Sequence, residues 1–230
     1  MDSTSILDIN RNGVDLMRDG SSRQALTLFR CALQRLLEGG KNNGAPQDEK
    51  ESSASLLVRS VSSRELTCMS KLSSLNYREQ QAFSLYDRAF IIKSADEKVL
   101  LSETNRSRTL VVVLYNMALT YHLMGVRDAN DQKKNLKRSM RYYRMAMEVL
   151  GRNNDIDRKK ILYLAVSNNM GNIYAHLFET TRAQICLDRM ASTLEALYSD
   201  IPSDMGDAYS FFHLNVVILF GQKEPAAPAA

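Results

Sequence analysis

The stretch GVDLMRDGSSRQALTLFRCA, residues 13–32, decides the fold, because its internal intervals return far along the chain. Gly13, Leu16, Gly20, Ala25, Phe29 and Ala32 recur as Gly171, Tyr174, Phe178, Ala183, Leu187 and Met190, each at 3, 7, 12, 16 and 19 residues from the first. A set of intervals that returns unchanged marks a repeat architecture, in which one supersecondary unit is used several times. A third copy starts at Ala118 and Tyr121, with Gly125 at interval 7. Its second half, Ser139, Tyr143 and Ala146, lies at 21, 25 and 28, and removing nine residues from the Val126–Asn135 region restores 12, 16 and 19.

Between Pro46 and Pro202 Gly and Pro are sparse, and apolar residues recur at three and four through most of that stretch, so the chain reads as all-α. The first pair is predicted at 4–19 and 21–37, within a unit spanning 1–38 that Gly39-Gly40 ends. Residues 39–63, rich in Gly, Asn, Ser, Lys and Glu, read as a flexible linker. The region 64–220 holds the other repeats. Ala82-x3-Tyr86-x2-Ala89-Phe90 copies the spacing of a second helix, with an extended segment at Phe83-x-Leu85 as the alternative. A helix from Asn105 to Met124, apolar almost all round and stopped by Gly125, is the expected core element, and 132–150 is its partner; together they make the unit 105–150. The unit 155–198 pairs helices 155–178 and 180–198, capped by Asp155 and by Thr180 or Thr181. A helix at 204–220 carrying Phe211, Phe212, Leu214, Val217, Ile218 and Phe220 is expected to cap the open end. The Pro/Ala-rich 221–230 reads as a disordered tail.

These intervals have a packing reason. A small residue on the first helix (Gly13, Ala118, Gly171) lets the second approach, and Leu16, Tyr121 and Tyr174 fill the next hole; Ala25, Ser139 and Ala183 let the turn close, and Phe29, Tyr143 and Leu187 wedge between units. With Tyr115-Asn116-Met117-Ala118-x2-Tyr121-x3-Gly125 and Asn169-Met170-Gly171-Asn172-Ile173-Tyr174, the chain resembles the tetratricopeptide repeat family over about three units. The resemblance implies a superhelix of stacked antiparallel helix pairs that binds protein segments. The departures are the absence of Trp, of a unit-closing Pro and of a 34-residue period.

Composition narrows the chemistry. The start MDSTSILDIN has no basic and apolar leader pattern and no window is apolar enough to span a membrane, so a soluble, unsecreted protein of the cytosol or nucleus is expected, with no membrane partner. Cys31, Cys68 and Cys186 are odd in number and lack CxxC spacing, as suits reduced thiols, and Cys31 and Cys186 are expected in the core. No GxGxxG, GxxxxGK[ST], HExxH or GxSxG string occurs. His122, His176 and His213 share no spacing with a carboxylate or Cys, so they read as half-buried, hydrogen-bonded side chains. No enzyme activity, catalytic residue, cofactor or metal is expected.

Two surfaces are candidates for a partner. The first helices of stacked pairs line a concave face, which would present Asn10, Val14, Met17 and Arg18, then Tyr115, Asn116, Leu119, His122 and Leu123, then Asn168, Asn169, Asn172, Ala175 and His176. Its amides suit hydrogen bonding to a peptide main chain, although asparagines also satisfy local backbone. The family's clamp for acidic C-terminal tails is matched only at Asn116. The second surface is basic. Residues 126–160 hold eleven Lys/Arg against five Asp/Glu, which gives +6 where the rest of the chain is −2. Lys137, Arg141 and Arg144 lie on one side of helix 132–150, with Lys133, Lys134, Arg138, Arg158, Lys159 and Lys160 nearby. The leading expectation is a scaffold binding a protein or peptide in the concave groove, and the alternative is an adaptor using the basic 133–160 surface for RNA or an acidic partner.

Overall fold

In the computed structural model the described residues are 4–38, 57–61, 83–93, 103–152, 160–197 and 206–221. They form seven helices: α1 Ile6–Arg18, α2 Ser22–Glu38, α3 Glu103–Arg127, α4 Gln132–Arg152, α5 Lys160–His176, α6 Thr180–Glu195 and α7 Gly206–Gly221. The strands β1 Leu57–Val61 and β2 Ala89–Lys93 pair antiparallel, with Ser60 opposite Phe90. The protein is therefore mostly helical. It divides into two compact units, one made of Met1–Lys71 and Asp87–Asn154, the other of Leu72–Tyr86 and Asp155–Ala230.

In the first unit α1 and α2 form one hairpin and α3 and α4 another, α3 also packs on α2, and β2 lies against α1 and α3. Helix α1 begins where Ser5 Oγ accepts the Asp8 N–H at 3.1 Å, which satisfies one of the donors a helix start leaves open. It ends on Gly20 at φ 81°, with the Gly20 N–H on Met17 O (3.3 Å) and the Ser21 N–H on Leu16 O (2.8 Å). Those two bonds are the left-handed helix end that glycine adopts freely. Added to Gly13, a Cβ would stand 2.6 Å from the Phe29 ring. The small residue therefore receives Phe29 within its own pair, not between units as the wedge role implies.

The second hairpin departs from the predicted stop. Helix α3 continues through Gly125 to Arg127, so Gly125 is not a terminator; a Cβ there would lie 3.1 Å from Leu136 Cδ2, a close approach of α3 to α4. Ser139 Oγ donates to Ala118 O at 2.7 Å, joining the two small positions across that contact. From Val111 to Leu123 every residue of α3 is buried. Against the expectation that no window is apolar enough, α3 is, among the described residues, the one helix long and apolar enough to cross a membrane, with 83% of its apolar window covered by protein.

In the second unit α5 and α6 form a hairpin and α7 packs on both. Its turn repeats the first: the Phe178 N–H bonds Ala175 O (3.1 Å) and the Glu179 N–H bonds Tyr174 O (2.8 Å), with Phe178 at φ 57°. Interval 7 is thus the left-handed turn position in both hairpins. Glycine holds it freely, whereas phenylalanine pays about 1–2 kcal/mol. The α6 N-cap is Glu179, without a side-chain bond, in place of the expected Thr180 or Thr181; Asp155 lies outside the described residues, as does Cys68. Cys186 is buried, which pushes its thiol up to about 11, but Cys31 is exposed and not in the core.

The largest departures fall in the middle of the chain. The span read as linker contains β1, and the second-helix spacing at Ala82–Phe90 belongs to extended chain from Phe83 onward, the alternative reading. Gly171 receives the Phe83 ring, because a Cβ added there would stand 2.5 Å from it. Gly171→Ala is therefore expected to lower stability by about 1–2 kcal/mol, overpacking outweighing the gain in helix propensity. Urea melts of Gly171→Ala, Phe83→Leu and the double variant check this, with the alanine costing less once the ring is gone.

Candidate functional site

Residues 83–93 run extended beside helices, and among the described residues no strand pairs with the edge of the segment that faces them. A buried main-chain N–H or C=O needs a partner, and here the partners are asparagine side chains. The asparagine carboxamide offers both an acceptor and a donor, so one amide can bond the N–H and C=O of a single residue, as a neighbouring strand would.

In the first unit, Asn116 on α3 does this to Phe90: its Oδ1 accepts the Phe90 N–H at 3.0 Å and its Nδ2 donates to Phe90 O at 2.8 Å. Asn10 on α1 donates to the same carbonyl at 3.2 Å, and its Oδ1 accepts from Asn116 Nδ2 at 3.0 Å. Main-chain groups alternate sides along a strand, so Phe90 turns to the helices while Ala89 and Ile91 turn to β1. The Tyr115 hydroxyl donates to Arg88 O at 3.2 Å. Asp87, partly buried, has its carboxyl pushed above the usual range by desolvation, against the lowering effects of a backbone hydrogen bond and of Arg88.

In the second unit, Asn169 on α5 accepts the Tyr86 N–H and donates to Tyr86 O, both at 2.9 Å. Asn215 on α7 does the same to Ser84, at 3.3 and 3.2 Å, and Asn168 donates to Ser84 O at 2.9 Å. Asn172 donates to Phe83 O. The amides also join one another, Asn215 Nδ2 to Asn168 Oδ1 at 2.6 Å and Asn168 Nδ2 to Asn169 Oδ1 at 3.1 Å. Ser84, Tyr86, Arg88 and Phe90, every second residue, thus present their main chain to helix side chains. The same segment buries Phe83, Tyr86, Ala89, Phe90 and Ile92; Tyr86 packs on Phe212 at 4.6 Å and Phe90 on Tyr115 at 4.9 Å.

Of the residues expected to line an open concave groove, Asn10, Tyr115, Asn116, Asn168, Asn169 and Asn172 are buried against this segment. They do not face solvent, and the backbone they satisfy lies 26 to 89 residues away, so it is not local. Met17, Leu119 and His122 are fully buried core residues, with His122 edge-on to Tyr143 at 6.1 Å; Val14 and Leu123 are buried too. Arg18 is half-buried, 3.6 Å from Asp15, and His176 is exposed. His213 is exposed and stacked on Tyr209. Asn215 was missed by the sequence reading; its signal is an amide on a predicted apolar helix. Among the described residues no group of His, Cys, Asp or Glu could hold a metal ion.

The basic residues take a different place. Lys133, Lys134, Lys137, Arg138, Arg141 and Arg144 are all exposed along α4. Lys134 pairs with Asp131 at 3.5 Å, while Lys133, Lys137 and Arg141 have no acidic partner among the described residues. Arg138 lies over the Tyr121 ring at 5.6 Å, Tyr121 stacks on Tyr142 at 5.8 Å, and Arg30 on α2 donates to the Tyr121 hydroxyl at 2.6 Å. Lys160 leaves this surface: it is buried in the second unit, with Nζ donating to Ala196 O at 3.3 Å. Arg158 and Lys159 lie outside the described residues. Compared with known proteins, the chain matches no family model, no curated protein and no solved structure.

Asn169→Ala, which removes both amide bonds from the buried Tyr86 main chain, is expected to cost about 2–5 kcal/mol. Asn169→Asp keeps the acceptor but sets a carboxylate against Tyr86 O. Its folded pKa then lies above the unfolded value of about 3.9. The protonated form can donate, so stability is recovered at low pH and lost as pH rises through the folded pKa. Urea melts at about pH 4.5 and 7.5 check this: the Asp variant should approach the wild type only at the lower pH.

Proposed function

We propose that the protein is a non-enzymatic helical scaffold of tetratricopeptide-like hairpins that binds an acidic segment of a partner protein along the outer face of α4. The observation that carries this reading is the contrast between two surfaces. The amide-lined faces already hold the chain's own extended segment. Burying two large side chains in each unit is worth about 3–6 kcal/mol, comparable with the net stability of a whole domain, so an outside peptide would have to replace part of the core. The face of α4, by comparison, is open and charged.

Lys133, Lys137, Arg141 and Arg144 follow i, i+4, i+8 and i+11, one stripe about 16 Å long. Lys134 and Arg138 widen it. Exposed ion pairs contribute about 0.2–1 kcal/mol each, so six cations support a transient association that weakens with salt. An acidic protein segment fits better than RNA, because the tyrosines beside the stripe stack on each other and are not splayed for bases.

The test is affinity capture of the full chain and of Lys137→Glu with Arg141→Glu, followed by mass spectrometry. Both side chains are exposed, so circular dichroism and melting should match the wild type. Proteins held by the wild type should be lost in the double variant and on raising salt from about 50 to 300 mM, with no effect of ribonuclease. The same proteins retained by the double variant would sink the reading. Loss of bound material on ribonuclease treatment would transfer the surface to nucleic acid.

A further inference from the structure

In the first unit one tyrosine gathers two arginines from different helices. Tyr121 on α3 is only 4% exposed, yet both arginines that touch it are exposed. Arg30 on α2 donates to its hydroxyl at 2.6 Å, and Arg138 on α4 lies over its ring with Cζ 5.6 Å from the centroid. Tyr142 on α4 stacks against the same ring, parallel to within 3° at 5.8 Å. Three helices thus converge on one side chain, which holds one cation at its tip and another over its face.

These arginines are positioned but not neutralised. Among the described residues neither has an acidic partner. A guanidinium carries five N–H donors in a planar fork. The contact with Tyr121 occupies one donor of Arg30, and the contact of Arg138 is with a ring face and occupies none. The Tyr121 hydroxyl accepts from Arg30 and keeps its own hydrogen, for which the described residues offer no acceptor. A hydroxyl on a buried side chain and two forks with donors to spare make a donor set that lacks its acceptor.

The kind and number of donors select the ligand. A carboxylate has two oxygens, and a single arginine fork meets both. A phosphoryl ester group offers three oxygens and about −1.5 to −2 charge at pH 7, which two forks and a hydroxyl match. Lysine ammonium groups such as those of α4 are hydrated point charges on flexible stems; a guanidinium held against a ring is already oriented. There is room on both sides of the cluster for a chain to pass. An open groove of about 320 Å³ runs from Arg30 along α2 past Leu33 and Leu37 to Glu38. On α4 the exposed Arg141 lies one turn from Arg138. A segment crossing Tyr121 therefore meets apolar side chains on the α2 side and further cations on the α4 side.

We propose that Arg30, Arg138 and the Tyr121 hydroxyl receive a phosphorylated serine or threonine carried by the acidic segment of the partner protein. The proposal rests on the reading of α4 as a surface for such a segment. It adds a requirement for Arg30, which lies on α2 and which that reading does not need. Phosphorylation of the partner then strengthens the association: the phosphoryl group joins arginines of two helices, whereas the unmodified segment meets the cations of α4 alone.

The test is retention on the immobilised full chain of a degenerate peptide library with a fixed central phosphoserine, set against the same library after phosphatase treatment. The wild type should hold the phosphorylated library at least about tenfold more strongly. Arg30→Gln should abolish that preference and leave the weak, salt-sensitive retention of acidic sequences in place. Arg30→Lys, which keeps the charge without the fork, should restore only part of it. Arg138→Gln should abolish the preference too and, standing on another helix, guards against a local defect at position 30; circular dichroism checks that each variant is folded. Equal retention of the two libraries, or a preference that neither glutamine variant reduces, overturns the proposal, while retention of acidic sequences in either library keeps the α4 reading in force. Random single-stranded RNA held as tightly as the phosphopeptides also overturns it and assigns the cluster to phosphodiesters. A melting temperature raised by inorganic phosphate, without any preference for phosphopeptides, overturns it in favour of a free anion.

Discussion

A main chain that runs extended among helices has donors and acceptors on its helical edge and no strand to meet them. That constraint organises both units. The helices that approach the segment each bring asparagine, whose carboxamide reproduces the hydrogen-bonding face of a peptide unit. Aspartate would supply no donor when ionised, and leucine would supply neither group. With both groups of Phe90 on Asn116, and both groups of Tyr86 on Asn169, the side chains of those residues are free to serve as core. Small residues on the first helices then matter for a second reason: Gly171 admits the Phe83 ring, as Gly13 admits Phe29.

The polar core separates the parts of the molecule that hold it together from the parts that remain available. Amides buried in a low-dielectric interior and bonded to one another act as a network, and losing one member leaves others unsatisfied. Such a network gives a single register to a segment that could otherwise slide by two residues. The lysines and arginines of α4 obey the opposite rule. They are hydrated, each contributes little, and their geometry is loose. A surface of the first kind is suited to fixing the chain, and a surface of the second kind to meeting something that comes and goes.

Much of the helical plan was legible because helix pairing is periodic and local. The intervals around Gly13 and Gly171 placed two hairpins to within a few residues, and α3 was recognisable from its all-round apolarity. The pairing of residues 83–93 was not, since it joins positions up to 131 residues apart and leaves no periodic trace. Ala82-x3-Tyr86-x2-Ala89-Phe90 satisfies a helical template and, through Phe83, Tyr86 and Phe90, also supplies buried side chains to an extended segment. The amides pointed to peptide backbone as their ligand; what they could not say is whose. A usable signal was the number of asparagines near the small positions of the first helices, Asn10, Asn116, Asn168, Asn169 and Asn172, more than helix caps require. Gly125 misled because glycine permits a close helix approach as readily as a helix end.

The turn position at interval 7 carries the remaining lesson. Gly20 and Phe178 adopt the same left-handed backbone and make the same pair of helix-ending bonds. The geometry is therefore set by the hairpin and not by the residue, and the glycine of the first turn is the side-chain choice that geometry favours. A phenylalanine in the second turn is opposed by local sterics and, at 89% exposure, gains almost no burial in return. Local preference and monomer packing both argue against it, so whatever retains it acts outside the monomer's own stability.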